Sequence, residues 1–174
     1  MPSIHANVPS ATRRAILHAG LAGALAEVVW IALFCAATPL SGSEVLRQIT
    51  ASIVPAAAGS AYAPALGLTI HFILGLAVAT AFALLVWRPW ARARGVAATF
   101  ATALLALGLI WTVNFFVVLP AINPLFVGLM PYGVTLLSKL LFAVAMAGAL
   151  ELAPQASAHR NFARGLADTR ISHG

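Results

Sequence analysis

Four long apolar runs, separated by proline, glycine and arginine, set the pattern of the chain: residues 15–38, 64–87, 96–119 and 132–150. At ~1.5 Å per helical residue, runs of this length cover a hydrocarbon core of ~30 Å. The pattern predicts an all-α integral membrane protein whose four transmembrane helices form two hairpins. The second run is the clearest, because between Pro64 and Trp87 the only ionisable side chain is His71. Arg88, Arg92 and Arg94 follow at once, with Trp87 and Trp90 as an aromatic anchor at the interface.

The segments between the runs carry their own signals. Ser41 and Glu44 stand at capping-box spacing, and Val45, Leu46, Ile49, Ile53 and Val54 then recur on one helical face until Pro55. This predicts a short amphipathic surface helix between helices one and two. Residues 56–63 read as a small-residue linker. The segment from Pro120 to Pro131 holds three prolines and almost no polarity. It reads as a broken, partly embedded connection whose free backbone groups must meet protein or the interface. Residues 1–14 and 153–174 read as polar tails.

Composition agrees with this class: 61% of residues are hydrophobic and 8% charged, far from the roughly 25% charged residues of a soluble domain. The net charge of +6 flanks the apolar runs and forms no stripe interleaved with stacking aromatics, so no nucleic-acid partner is expected. The lipid bilayer is the partner that this charge fits. Arg13, Arg14, Arg88, Arg92, Arg94, Arg160, Arg164 and Arg170 fall on one side of a four-span topology, against Arg47 alone on the other. The positive-inside rule then predicts a bacterial inner-membrane protein with both termini cytoplasmic. Arg13-Arg14 before an apolar run resembles a twin-arginine export signal, but the run is too long and carries Glu27 in its middle.

Two comparisons point to a duplicated hairpin. Trp30, Phe34 and Pro39 repeat at the same spacing as Trp111, Phe115 and Pro120, and the sixteen residues from Thr69 share eight identities with those from Thr135. Two-helix units keep their orientation, so such halves form a parallel repeat about an axis along the membrane normal. Small residues that let helix backbones approach are Gly20 and Ala24, Gly67 and Gly75, Ala77 and Ala81, Ala143 and Ala147.

Candidate chemistry is confined to a few polar residues. Ionisable side chains inside a membrane cost at least ~2.5 kcal/mol at a helix centre, so each calls for a reason. Glu27, His71, Asn114 and Lys139 lie ~8 to 16 Å below the outer helix ends, one on each helix, and form a candidate intramembrane polar site. In the plainest arrangement Glu27 pairs with Lys139 while His71 and Asn114 hydrogen-bond across helices. No catalytic, cofactor or metal site is expected. The metalloprotease, nucleophile-elbow and phosphate-loop motifs are all missing from the sequence. Cys35 is the single cysteine, and His18 lies ~20 Å in depth from His71, too far for both to ligate one haem. The chain therefore reads as a non-catalytic accessory or interaction module, with a membrane protein or a second copy of itself as partner. The alternative is a small oligomeric carrier or channel for protons or a small solute that uses Glu27, His71 and Lys139.

Overall fold

A computed structural model describes residues 10–171, and the described residues carry helices and no strand. Four helices are long and apolar enough to span a membrane: α1 (Ser10–Ala36), α3 (Ala63–Arg94), α4 (Val96–Ile122) and the Tyr132–Ala153 part of α6 (Tyr132–Ile171). Two short helices connect them, α2 (Gly42–Ile53) and α5 (Pro124–Leu129). The protein is an all-α membrane protein.

Several boundaries differ from those read in the sequence. Helix α1 begins at Ser10, so Arg13 and Arg14 ride on its first turns and are not part of a tail; residues 1–9 lie outside the described residues. Helix α6 passes Pro154 and runs to Ile171, where the sequence reading ends it at 150. The residues beyond Pro154 include alanines, arginines and a leucine, all strong helix formers. Prolines fail to stop two other helices as well. Pro89 sits inside a π-helical stretch, Ala83–Ala91, and Pro120 follows a second one, Asn114–Val118. A proline ring clashes with the carbonyl four residues before it, and a widened turn relieves that clash without ending the helix. What does break the path is Gly95, whose φ of 92° only glycine adopts freely, and the non-helical backbone at Asn123 and Met130.

The spanning helices pack in the ring order α3, α1, α6, α4, and the ring closes between α4 and α3 through Ala83–Ala91 at the arginine end. That order is compatible with a hairpin repeat about a two-fold axis, but the two equivalent seams are unequal. Helices α1 and α6 are tightly joined along their length, with Trp30 Nε1 donating to the Val134 carbonyl at 3.0 Å. Helices α3 and α4 meet chiefly near the arginines.

The arginine half of the bundle is solid. Trp87, Leu107, Phe142, Met146 and Leu150 are all within 2% of full burial and interlock around alanines at 19, 79, 83, 103, 143 and 147. Small residues make the approach possible: a Cβ on Gly23 would sit 2.8 Å from the Phe142 ring, and one on Gly75 would sit 2.9 Å from Ala24 Cβ. Ala77 and Ala81, read from sequence as packing residues, are exposed instead, and the buried face of α3 carries Gly75, Ala79 and Ala83. Trp87 is not an interfacial anchor either. It is 2% exposed, and its Nε1 donates to Glu151 at 3.0 Å. Trp90 is exposed and lies under the Arg94 guanidinium, 4.1 Å from ring centroid to Cζ.

Helix α2 is amphipathic as its pattern predicts, and it lies across the other end of the bundle against α3. Its start differs in detail from a capping box. Ser41 occupies the N-cap position, yet its hydroxyl shares a hydrogen bond with Ser43 at 2.7 Å and caps no backbone N–H. Glu44 turns to Gln48, whose Nε2 donates to it at 2.7 Å. The helix is anchored from elsewhere: Thr50 Oγ1 donates to the Ala63 carbonyl at 2.6 Å, and Arg47 donates to the Ala58 and Ser60 carbonyls at 2.7 and 3.0 Å. Asn123 joins α2 to the start of α5. Its Nδ2 donates to the Gln48 carbonyl and Ser52 Oγ, each at 3.0 Å, while its Oδ1 accepts from the Phe126 N–H.

Candidate functional site

Where the arginine half is packed solid, the opposite half is hollow. A cavity of about 520 Å³ lies in the α3–α4 gap, with α1 and α6 behind it. Leu68 and Leu74 of α3 and Phe115 and Val118 of α4 line its sides. Helix α2 roofs it with Val45, Leu46 and Ile49, and Met130 closes the roof beside them.

All four polar residues singled out in the sequence line this cavity. Glu27 is the most deeply placed, 3% exposed on the face of α1 that meets α6. Lys139 Nζ lies 2.7 Å from Glu27 Oε1 and donates to Oε2 at 2.9 Å. Ser138, one position earlier on α6, donates to Oε1 at 2.8 Å. The carboxylate thus receives charge-assisted bonds from two adjacent side chains of one helix, which is what a buried charge needs to offset its lost hydration. Lys139 also lies over the Phe142 ring, 5.8 Å from its centroid, and its side chain is 26% exposed against 4% for Glu27.

His71 Nε2 lies 3.1 Å from the Ala24 carbonyl and 3.9 Å from Glu27 Oε2. A carbonyl only accepts, so Nε2 carries the hydrogen in this arrangement. The histidine therefore bridges α3 to α1 one turn before Glu27. Asn114 differs from the other three. It opens the second π-helical stretch and lines the cavity, but its amide has no hydrogen-bond partner among the described residues. Single π-helical turns inside α-helices recur at functional sites, because the inserted residue re-aims its neighbours.

Sequence reasoning missed three contributors. Ser138 and Thr135 line the cavity, and Thr135 Oγ1 accepts from Trp111 Nε1 at 3.0 Å. Hydroxyls are common in membrane helices and bond back to their own backbone, so nothing in the sequence marks these two. Glu151 could have been marked, as a carboxylate in an arginine-rich end. It accepts from Trp87 Nε1 and, at 2.7 Å, from Thr99 Oγ1, and so ties α3, α4 and α6 together below the solid core. No group of three or more metal-ligating side chains occurs among the described residues.

No protein-family model, curated protein or solved structure matches the chain.

Proposed function

We propose that this chain is a non-catalytic accessory module of a bacterial inner membrane, and that its working part is a guest pocket in the half of the bilayer away from the cytoplasm. The observation that carries this reading is the convergence of Glu27, His71, Asn114 and Lys139, from four different spanning helices, on one cavity of about 520 Å³. Pockets of roughly 300 to 1,000 Å³ with apolar walls and a few placed polar groups are the usual form of small-molecule sites. A second reading, a carrier of protons or a small solute, draws on the 3.9 Å approach of His71 to Glu27. It would have to open the plug of Trp87, Leu107, Phe142, Met146 and Leu150.

Flux separates the two. The binding reading expects liposomes carrying the protein to hold a proton gradient as well as empty liposomes do. Dissipation by the wild type that Glu27→Gln abolishes would replace it with the carrier reading.

Sidedness rests on the arginine asymmetry and has its own test. Single cysteines at Ser43 and Leu125, both exposed, are expected to react with an impermeant reagent in intact cells, and one at Ala93 is not. Asn123 is unsuitable for that labelling because it is 5% exposed. The opposite labelling pattern would reverse the topology.

A further inference from the structure

The cavity has a mouth whose chemistry differs from its floor. Among the residues that line it, Ile53, Leu74, Val118 and Ile122 are the large apolar side chains that stay most exposed, at 53, 48, 40 and 53%. All four are apolar, and three of them flank the α3–α4 gap. A mouth that met water would be expected to be polar, so this one faces lipid. The floor behind it holds the polar side chains. A guest therefore comes from the bilayer, polar end first toward Asn114 and Lys139, with its apolar body left in the mouth between α3 and α4.

Size and charge narrow the guest. At the ~30 Å³ that a water molecule occupies in the liquid, the cavity holds roughly 15 to 20 groups of that size. A whole two-chain phospholipid exceeds this, and a single chain or a small ring system fits. Counting histidine as neutral, the lining carries one negative and one positive charge, and these are already paired with each other. An anion drawn to Lys139 would leave an uncompensated negative charge in the membrane. A cation would find Glu27 covered, 4% exposed and holding bonds from Ser138 and Lys139. What remains open is the Asn114 amide, with both donor and acceptor capacity and no hydrogen-bond partner among the described residues, and the exposed part of the Lys139 side chain. We propose that the pocket takes a neutral single-chain or single-ring amphiphile bearing a carbonyl or hydroxyl group, which enters from lipid between α3 and α4 and hydrogen-bonds Asn114. This rests on the pocket reading above.

Three photoactivatable probes with the same diazirine-bearing decyl chain and an alcohol, carboxylate or trimethylammonium head test it on the full-length chain in phosphatidylcholine nanodiscs. The alcohol probe is expected to label cavity residues such as Leu119 and Ile49, saturably and with competition by decanol. Asn114→Leu should weaken that labelling about tenfold, the equivalent of one hydrogen bond. The variant removes no side-chain hydrogen bond among the described residues, so an unchanged elution profile and melting temperature are expected. Ile49→Trp, which fills the roof side of the cavity, should abolish labelling by a separate route. Preferential labelling by the carboxylate or ammonium probe would overturn the neutral-amphiphile assignment and leave the pocket standing. Labelling spread over the lipid-facing helices by all three probes, unaffected by Ile49→Trp, would overturn the pocket itself.

Discussion

Gly67→Ala is expected to lower stability by about 2 to 3 kcal/mol and to free α2 from the bundle, through the addition of a single methyl group. A Cβ at this position would overlap the Leu46 carbonyl oxygen and crowd Thr50 Oγ1 at 3.0 Å. The obstacle is backbone, which cannot rotate aside as a side chain can, so the whole of α2 must move. Its movement breaks the buried bond from Thr50 to the Ala63 carbonyl and pulls on the Asn123 contacts to Gln48 and Ser52. Overpacking of this kind costs about 1 to 3 kcal/mol, and an unmade buried hydrogen bond adds to it. Hydrogen exchange should show amides of Gly42–Ile53 opening faster, while α1 and α6 near Phe142 stay protected. Gly59→Ala serves as the control, since nothing lies within 4 Å of its added Cβ. Equal stability and equal exchange in the two variants would mean that α2 is not seated on α3 as described.

The elements legible in the sequence are those that the membrane itself dictates. A 30 Å hydrocarbon layer demands long unbroken apolar helices. The four spans therefore show in composition alone, as does the amphipathic period of α2. Ends are less legible, because Pro89, Pro120 and Pro154 stop nothing. The sequence carries no sign that a π-helical turn can absorb a proline, so a rule that holds for ordinary helices misplaces the ends of α3 and α4. Trp87 fails for a related reason: a tryptophan beside arginines reads as an interfacial anchor until its partner is known, and the partner, Glu151, is 64 positions away.

The candidate site was legible because burying charge in lipid is costly. Glu27, His71 and Lys139 stand out against apolar neighbours, and depth along each helix is simple arithmetic from the rise per residue. The hollow was not legible. Whether four polar residues at one depth meet side chain to side chain or face an empty space depends on how the α3–α4 seam packs. Only tertiary structure reveals that this seam stays open while its pseudo-equivalent between α1 and α6 closes. The duplicated motifs gave a reason to expect equal seams. The inequality between them is where the cavity lies.

Glu27 is a buried carboxylate neutralised by Lys139 at the polar floor of the cavity, and a double-mutant cycle measures that pairing. Removing one partner of a buried pair leaves the other charge uncompensated, at about 3 to 5 kcal/mol, whereas replacing both by apolar or neutral groups is often close to harmless. The two single variants should not be equal. With Lys139→Met, Glu27 keeps only Ser138 and the distant His71 and is too enclosed to reach water. With Glu27→Gln, the 26% exposed lysine can extend its stem into the cavity, so its loss should be the smaller. Melting of the four proteins in one detergent reads the cycle. The predicted result is a large loss for Lys139→Met, a moderate loss for Glu27→Gln, and recovery of most of both in the double variant. Losses that simply add, or single variants as stable as the parent, would contradict the pairing and with it the site built around it.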